Sequence, residues 1–175
     1  MKFDELTKLR NMDLENIFLA GSAPVPGALA GFEFKGWNIP WFTRVAGIQK
    51  FIKGFFSGPD GRIEGYNIPV RQDGLKDAWT HLPNADEPKR FGFYLVGAVR
   101  PESRDNVYPN ALLLDYGASP RNAFWRPERV LRDYLVQPDP AEPTVLLGKA
   151  YLALGARIAS NFFVLERLRS TRWTP

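Results

Sequence analysis

The pentapeptide Gly36-Trp37-Asn38-Ile39-Pro40 returns almost unchanged as Gly65-Tyr66-Asn67-Ile68-Pro69. A glycine, a large aromatic and a closing Asn-Ile-Pro read as the end of a strand. Aromatic and β-branched side chains suit a pleated surface, and proline cannot donate to an interior ladder. The repeat therefore predicts two strands finished alike, and it speaks of architecture rather than chemistry. No nucleophile–base pair, phosphate loop or metal-ligand cluster accompanies it.

The segments around the repeat extend the pattern. Phe32-Glu33-Phe34-Lys35 alternates with period two, which predicts a strand over 31–39 with its phenylalanines on one face. With Phe32 and Phe34 inward, Trp37 faces outward unless a bulge or bend at Gly36 resets the alternation. A second strand over 50–56 turns at Gly58-Pro59-Asp60-Gly61 into a third over 62–68. Further strands are expected at 78–80, 90–96, 111–116, 144–152 and 161–166, the last two joined at Gly155-Ala156-Arg157. Residues 127–136 fit period two throughout. Pro127 and the Glu128/Arg132 spacing leave a helix open for 127–132, with strand at Tyr134-Leu135-Val136.

Helical signals are confined to two places. Phe3, Leu6, Leu9, Leu14, Ile17 and Phe18 recur at three- and four-residue spacing, with Asp4 and Asp13 as candidate caps and Gly21 as a stop. Trp41, Phe42, Val45 and Ile48 share one face of a short helix over 41–50. The expected fold is thus mainly β, a single antiparallel up-and-down β-barrel of about eight strands, because a sheet this large closes to abolish its edges. It has a short N-terminal helix and a helical insertion after the first strand. One domain is expected, divided into a helical segment and loop (1–30), the barrel (31–169) and a tail (170–175).

This order of pieces resembles a lipocalin-type, or more broadly calycin-like, barrel. The similarity rests on the N-terminal helix, Gly36-Trp37 on the first strand, Gly65-Tyr66-Asn67 on the third, the turn that ends the strand in the 134–139 stretch, and Arg167 after Phe162-Phe163-Val164-Leu165. It covers roughly residues 31–169. The resemblance implies that Arg167 packs across Trp37 to close one end of the barrel.

Composition limits the functions open to such a barrel. Zero cysteines exclude disulfides, thiolate catalysis and sulfur-ligated zinc, and they fit a reducing, cytoplasmic setting. The single histidine, His81, lies in a loop-like run and reads as structural or solvent-exposed. No carboxylate spacing suggests a metal, and no cofactor is implied. The N-terminus lacks the apolar core of a signal peptide, and no stretch of about 18 apolar residues exists to span a membrane.

An aromatic fraction of 14% suits a ligand cavity. The first expectation is a protein that binds a small lipophilic molecule inside the barrel, with Phe34, Phe55, Tyr66, Phe93, Leu114, Tyr134 and Phe163 as ligand-facing residues. An interior with few charges is expected, Glu64, Lys149 and Glu166 falling on the alternate phase or near strand ends. The alternative is a barrel enzyme in which Asp or Glu works with Tyr or Arg as acid–base groups on a small hydrophobic substrate. Strand neighbours point to opposite faces, so Asp115 and Tyr116 cannot both enter one cavity, and neither can Asp133 and Tyr134. Arginines at 126, 129, 132, 167, 169 and 172, with Trp173, raise nucleic-acid or anionic-membrane binding, yet no recognised motif accompanies them and a solvated tail is the simpler account.

Overall fold

A computed structural model describes residues 1–40, 48–84 and 86–175. Most of the helix expected over 41–50 therefore lies outside the described residues. Eight strands follow in chain order: β1 (Phe32–Pro40), β2 (Lys50–Ser57), β3 (Ile63–Pro69), β4 (Phe91–Ala98), β5 (Leu112–Asp115), β6 (Leu131–Val136), β7 (Val145–Leu154) and β8 (Ala156–Ser170). Each pairs antiparallel with the next, and β8 returns to pair with β1, so the sheet is a closed barrel. Closure leaves no sheet edge, which makes a long strand such as β8 tolerable.

Three local expectations need correction. Residues 78–80 form no strand and contribute only to a loop, with a single bridge between Val70 and His81 beside them. That loop instead wraps the Lys50 ammonium. Lys50 donates to the Gly74 and Asp77 carbonyls at 3.1 Å and to that of Ala78 at 3.3 Å, pairs with Asp73, and lies 4.2 Å from the Trp79 ring centroid. Residues 127–130 are a 3-10 turn, and β6 begins at Leu131. The tail is not frayed at Trp173, whose ring packs 4.6 Å from Tyr66 and 5.4 Å from Phe56.

Strand register sorts the side chains. Phe34 pairs with Lys53, Gly36 with Phe51, Phe55 with Gly65, Leu114 with Asp133, Leu135 with Gly148, and Gly148 with Phe163. These residues share the inner face. Phe34, Phe55, Tyr94, Leu114, Leu135, Leu146 and Leu165 have no accessible surface, so this end of the interior is filled by its own side chains. Leu29, just after the 3-10 turn Pro26–Ala28, packs into the same cluster and plugs the end.

At Gly36 an added Cβ would meet the Phe51 ring at 2.3 Å, and at Gly65 the Tyr94 ring at 2.2 Å. Each glycine lets a cross-strand aromatic lie flat across the inner wall. The following Trp37 or Tyr66 faces out, the Asn faces in, and the proline ends the strand.

The outer wall carries aromatic layers of its own. Two helices, α1 (Phe3–Leu6) and α2 (Asn11–Ala20), cover one side, packing Phe3, Leu6, Leu14 and Phe18 against Tyr134, Tyr151, Phe162 and Val164. On the other side Trp79 and Trp173 cover Ile52, Phe56, Tyr66 and Ile68.

Gly148 tests the inner packing directly. A Cβ there would sit 2.1 Å from the buried Phe163 ring. Gly148→Ala is expected to cost about 1–3 kcal/mol through overpacking, read as a lowered urea midpoint with unchanged slope. A neutral or stabilising result would contradict the inner placement of Phe163.

Candidate functional site

Of the residues expected to face a ligand, Phe34, Phe55, Leu114 and Phe163 lie on the inner face and belong to one cluster. Tyr66, Phe93 and Tyr134 do not, and each departure has a cause. Tyr66 follows Gly65, which is the inner partner of Phe55, so alternation turns Tyr66 out against Phe56 and Trp173. Gly92 takes a φ of 54° at a register irregularity between β3 and β4, pairing Asn67 with Phe91 but Gly65 with Tyr94. That bulge brings Tyr94 in and sends Phe93 out to stack on Trp173 at 6.2 Å. Tyr134 follows the inner Asp133 and points under α2, 5.5 Å from both Tyr108 and Tyr151.

The implied closure of the barrel by Trp37 and Arg167 is also corrected. Arg167 pairs with Phe34 on the inner phase and lays its guanidinium 4.0 Å over the Phe32 ring. Trp37 is on the opposite face of the wall, packed beside the helices.

The interior holds charge where an apolar cavity was expected. Towards the end edged by Phe51, Asn67, Phe91 and Tyr116, the Lys53 ammonium lies on the inner face beside Asp133, Nζ to Oδ2 at 2.9 Å. Lys53 donates to Tyr116 Oη at 2.5 Å and to Asn67 Oδ1 at 3.0 Å, while Tyr116 donates to Asp133 Oδ2 at 3.0 Å. Asn67 Nδ2 adds a bond to Tyr116 Oη at 3.2 Å and is held by the Gly92 carbonyl at 2.9 Å. Ring centroids of Tyr94, Tyr116, Phe163 and Phe51 stand 4.8, 5.1, 5.4 and 5.6 Å from Nζ.

Lys53 is 2% and Asp133 4% exposed, whereas Phe51 and Ala150 beside them reach 9% and 7%. Towards this end the apolar interior thus meets a buried polar cluster ringed by aromatic side chains. Burial draws the Lys53 ammonium below its ordinary pKa, with the Asp133 carboxylate opposing.

Asp115/Tyr116 and Asp133/Tyr134 each split across the sheet, as strand alternation requires, whereas Tyr116 and Asp133 meet from neighbouring parts of the wall. Tyr116 enters while Asp115 stays outside with Arg132, and Asp133 enters while Tyr134 stays outside. Lys53 is hidden for a different reason, since it reads as one of two lysines in a mostly apolar strand. Its signal was the phase shared with Phe51 and Phe55.

Other titratable clusters are outside. His81, 3% exposed, sits between Arg169 and Glu33, and Tyr66 donates to Glu33 at 2.9 Å. Lys149 faces out, bound to Glu15 and Tyr108 at 2.5 Å each. A cleft of about 320 Å3 opens over β4 and β5, lined by Arg62, Leu95, Leu113 and Asp115. Its acidic groups are already matched, Asp105 by Arg132 and Arg157 and Asp115 by Arg132. Among the described residues no group of three or more His, Cys, Asp or Glu is placed to hold a metal, and no helix is long and apolar enough to cross a membrane.

The buried phenols set an alkaline limit. Burial pushes Tyr66 up to about 12, reinforced by the Glu33 charge, and raises Tyr94 and Tyr116, where Asp133 adds to the effect. Burial likewise raises Tyr108 and Tyr134. Folded values above the unfolded one of about 10 mean that the native state holds protons the unfolded chain has lost. Stability from these groups is intact below that pH and falls as pH rises through the folded values. Phenolate absorbance is expected to rise together with unfolding above about pH 10, not before it. Smooth ionisation of these five tyrosines with the fold intact would refute this.

Comparison with protein-family models, with curated proteins and with solved structures finds no match to this chain.

Proposed function

We propose that the barrel binds a small lipophilic molecule at the end edged by Phe51, Phe91 and Tyr116, with the molecule's polar group resting on Lys53, Asn67, Tyr116 and Asp133. One observation carries this reading. A network of four polar side chains is gathered on the inner face at the boundary between a filled aromatic interior and the barrel's end. Such sites are mostly apolar with a few convergent polar groups.

The charge balance narrows the ligand. Lys53 and Asp133 neutralise each other, so a charged ligand would bring an unpaired charge into a desolvated site at high cost. A neutral molecule with a carbonyl or hydroxyl oxygen suits the donors of Lys53 and Tyr116. Phe34, Phe55 and Leu114 then serve as the packed support beneath the site, while Phe51 and Phe163 serve as its walls. Exposed Phe124 and Trp125 follow β5 on the loop at this same end, and apolar surface there would ease the entry of such a molecule. The closed meander and its N-terminal helices support a lipocalin-type barrel at the level of fold. A cytoplasmic location rests on the absence of cysteine.

A second reading, a barrel enzyme, is favoured by the meeting of Tyr116 and Asp133, which places a phenol and a carboxylate in one desolvated site.

Native mass spectrometry of freshly purified protein, followed by organic extraction of what departs on denaturation, tests the binding reading. A neutral lipophilic compound at one per chain, or uptake of an environment-sensitive hydrophobic dye displaced by a neutral long-chain alcohol, is the expected result. No extracted compound and no dye uptake would overturn it.

A further inference from the structure

We propose that Lys53 is a covalent anchor that condenses with the carbonyl group of a lipophilic aldehyde. This rests on the binding reading above and names a ligand class for the same site. Lys53 Nζ donates to Tyr116 Oη at 2.5 Å, and Tyr116 Oη donates to Asp133 Oδ2 at 3.0 Å. That is the order needed to carry a proton from the ammonium through the phenol to the carboxylate. The direct Nζ to Oδ2 approach of 2.9 Å closes the triangle.

An amine must be neutral to act as a nucleophile, and lysines reach that state when desolvated among apolar groups. Lys53 is 2% exposed and ringed by Phe51, Tyr94, Tyr116 and Phe163. Burial favours the uncharged amine here, in keeping with the lowered basicity of this group. Lys50 and Lys149, also buried, are held differently. The first is caged by three carbonyls and Asp73, the second by Glu15 and Tyr108 on the outer wall. Neither lies on the inner face.

The step balances without any outside oxidant or reductant. One ammonium proton passes through Tyr116 to Asp133, and the freed nitrogen pair attacks the aldehyde carbon, forming the C–N bond as the C=O π pair moves onto oxygen. That oxygen takes up the proton held by Asp133 and a second proton from nitrogen. It then leaves as water while the C=N bond forms. The product is a protonated imine that keeps the positive charge of Lys53, opposite the Asp133 carboxylate. Asp133 is thus proton carrier first and counter-ion afterwards, and Asn67 holds Tyr116 in place through its amide at 3.2 Å.

The test incubates the full chain with decanal, reduces any imine with cyanoborohydride, and reads intact mass and the modified peptide. One reduced adduct, mapped to Lys53, is expected. Lys53→Arg keeps the charge opposite Asp133 and cannot form an imine, so it should fold by circular dichroism and lose the adduct. In parallel, 1-decanol is tested for displacement of the hydrophobic dye, which separates the two ideas. Displacement by the alcohol with no adduct at Lys53 would overturn the covalent anchor and leave the binding reading standing. Neither displacement nor adduct would overturn both. An adduct confined to exposed lysines, or one that persists unchanged in Lys53→Arg, also defeats the proposal.

Discussion

Asp133→Asn is expected to destabilise the protein by about 3–5 kcal/mol, because it leaves the Lys53 ammonium buried without its counter-charge. The substitution is nearly isosteric, so packing around Leu114 and Ala150, the cross-strand partners of Asp133, is little disturbed. What changes is electrostatic. Lys53 keeps its bonds to Asn67 and Tyr116, yet neither partner carries charge. Lys53→Met should cost a similar amount by stranding the carboxylate. The double change Lys53→Met with Asp133→Leu should recover much of the loss, since a buried ion pair replaced by apolar groups of similar volume is often neutral. Urea unfolding of the three variants is the measurement. If Asp133→Asn lies within about 1 kcal/mol of the parent, Lys53 is not cationic in the fold.

The closed barrel was legible because nearly every strand carried its own signal. Period-two phenylalanines marked β1, a Pro-Asp-Gly turn joined β2 to β3, and apolar runs marked β5, β7 and β8. Facing was less legible, for two physical reasons. A bulge at a single glycine, Gly92, exchanged the roles of Phe93 and Tyr94, and no composition rule announces a bulge at one glycine rather than another. The second reason is that the outer wall is as aromatic as the inner. Sequence alternation separates buried from exposed only when one face meets water. Here Tyr134 and Phe162 face α2, while Tyr66 faces Trp173, so both phases of a strand read as core.

The functional residues were obscured by the same logic. Asp133 comes from β6, Lys53 from β2 and Tyr116 from the turn just after β5, and only the register of closure brings them together. Alternation alone shows that adjacent residues such as Asp133 and Tyr134 cannot share a cavity. What a linear reading cannot supply is the partner from a distant strand. The repeated asparagine was the nearest thing to a signal, since Asn67 lies on the inner phase next to Lys53 in register.

Phe55 and Phe51 share the inner phase of β2 but should respond differently to removal. Phe55 has no accessible surface and packs edge-on to Phe34 at 5.5 Å and Tyr94 at 5.7 Å in the filled part of the barrel. Phe55→Ala is expected to leave a sealed void and cost about 3–5 kcal/mol. Phe51 lies at the end, 9% exposed, against Phe163 at 5.8 Å. Water or a ligand can reach the space it vacates, so Phe51→Ala should cost nearer about 2 kcal/mol. The functional effect should run the other way. Phe51→Ala widens the walls above the polar floor and should change dye uptake, whereas Phe55→Ala should leave uptake unaltered in the fraction that remains folded. Equal stability losses with dye uptake unaffected by either change would mean that the interior is uniformly filled, and the site around Lys53 would then be a structural ion pair.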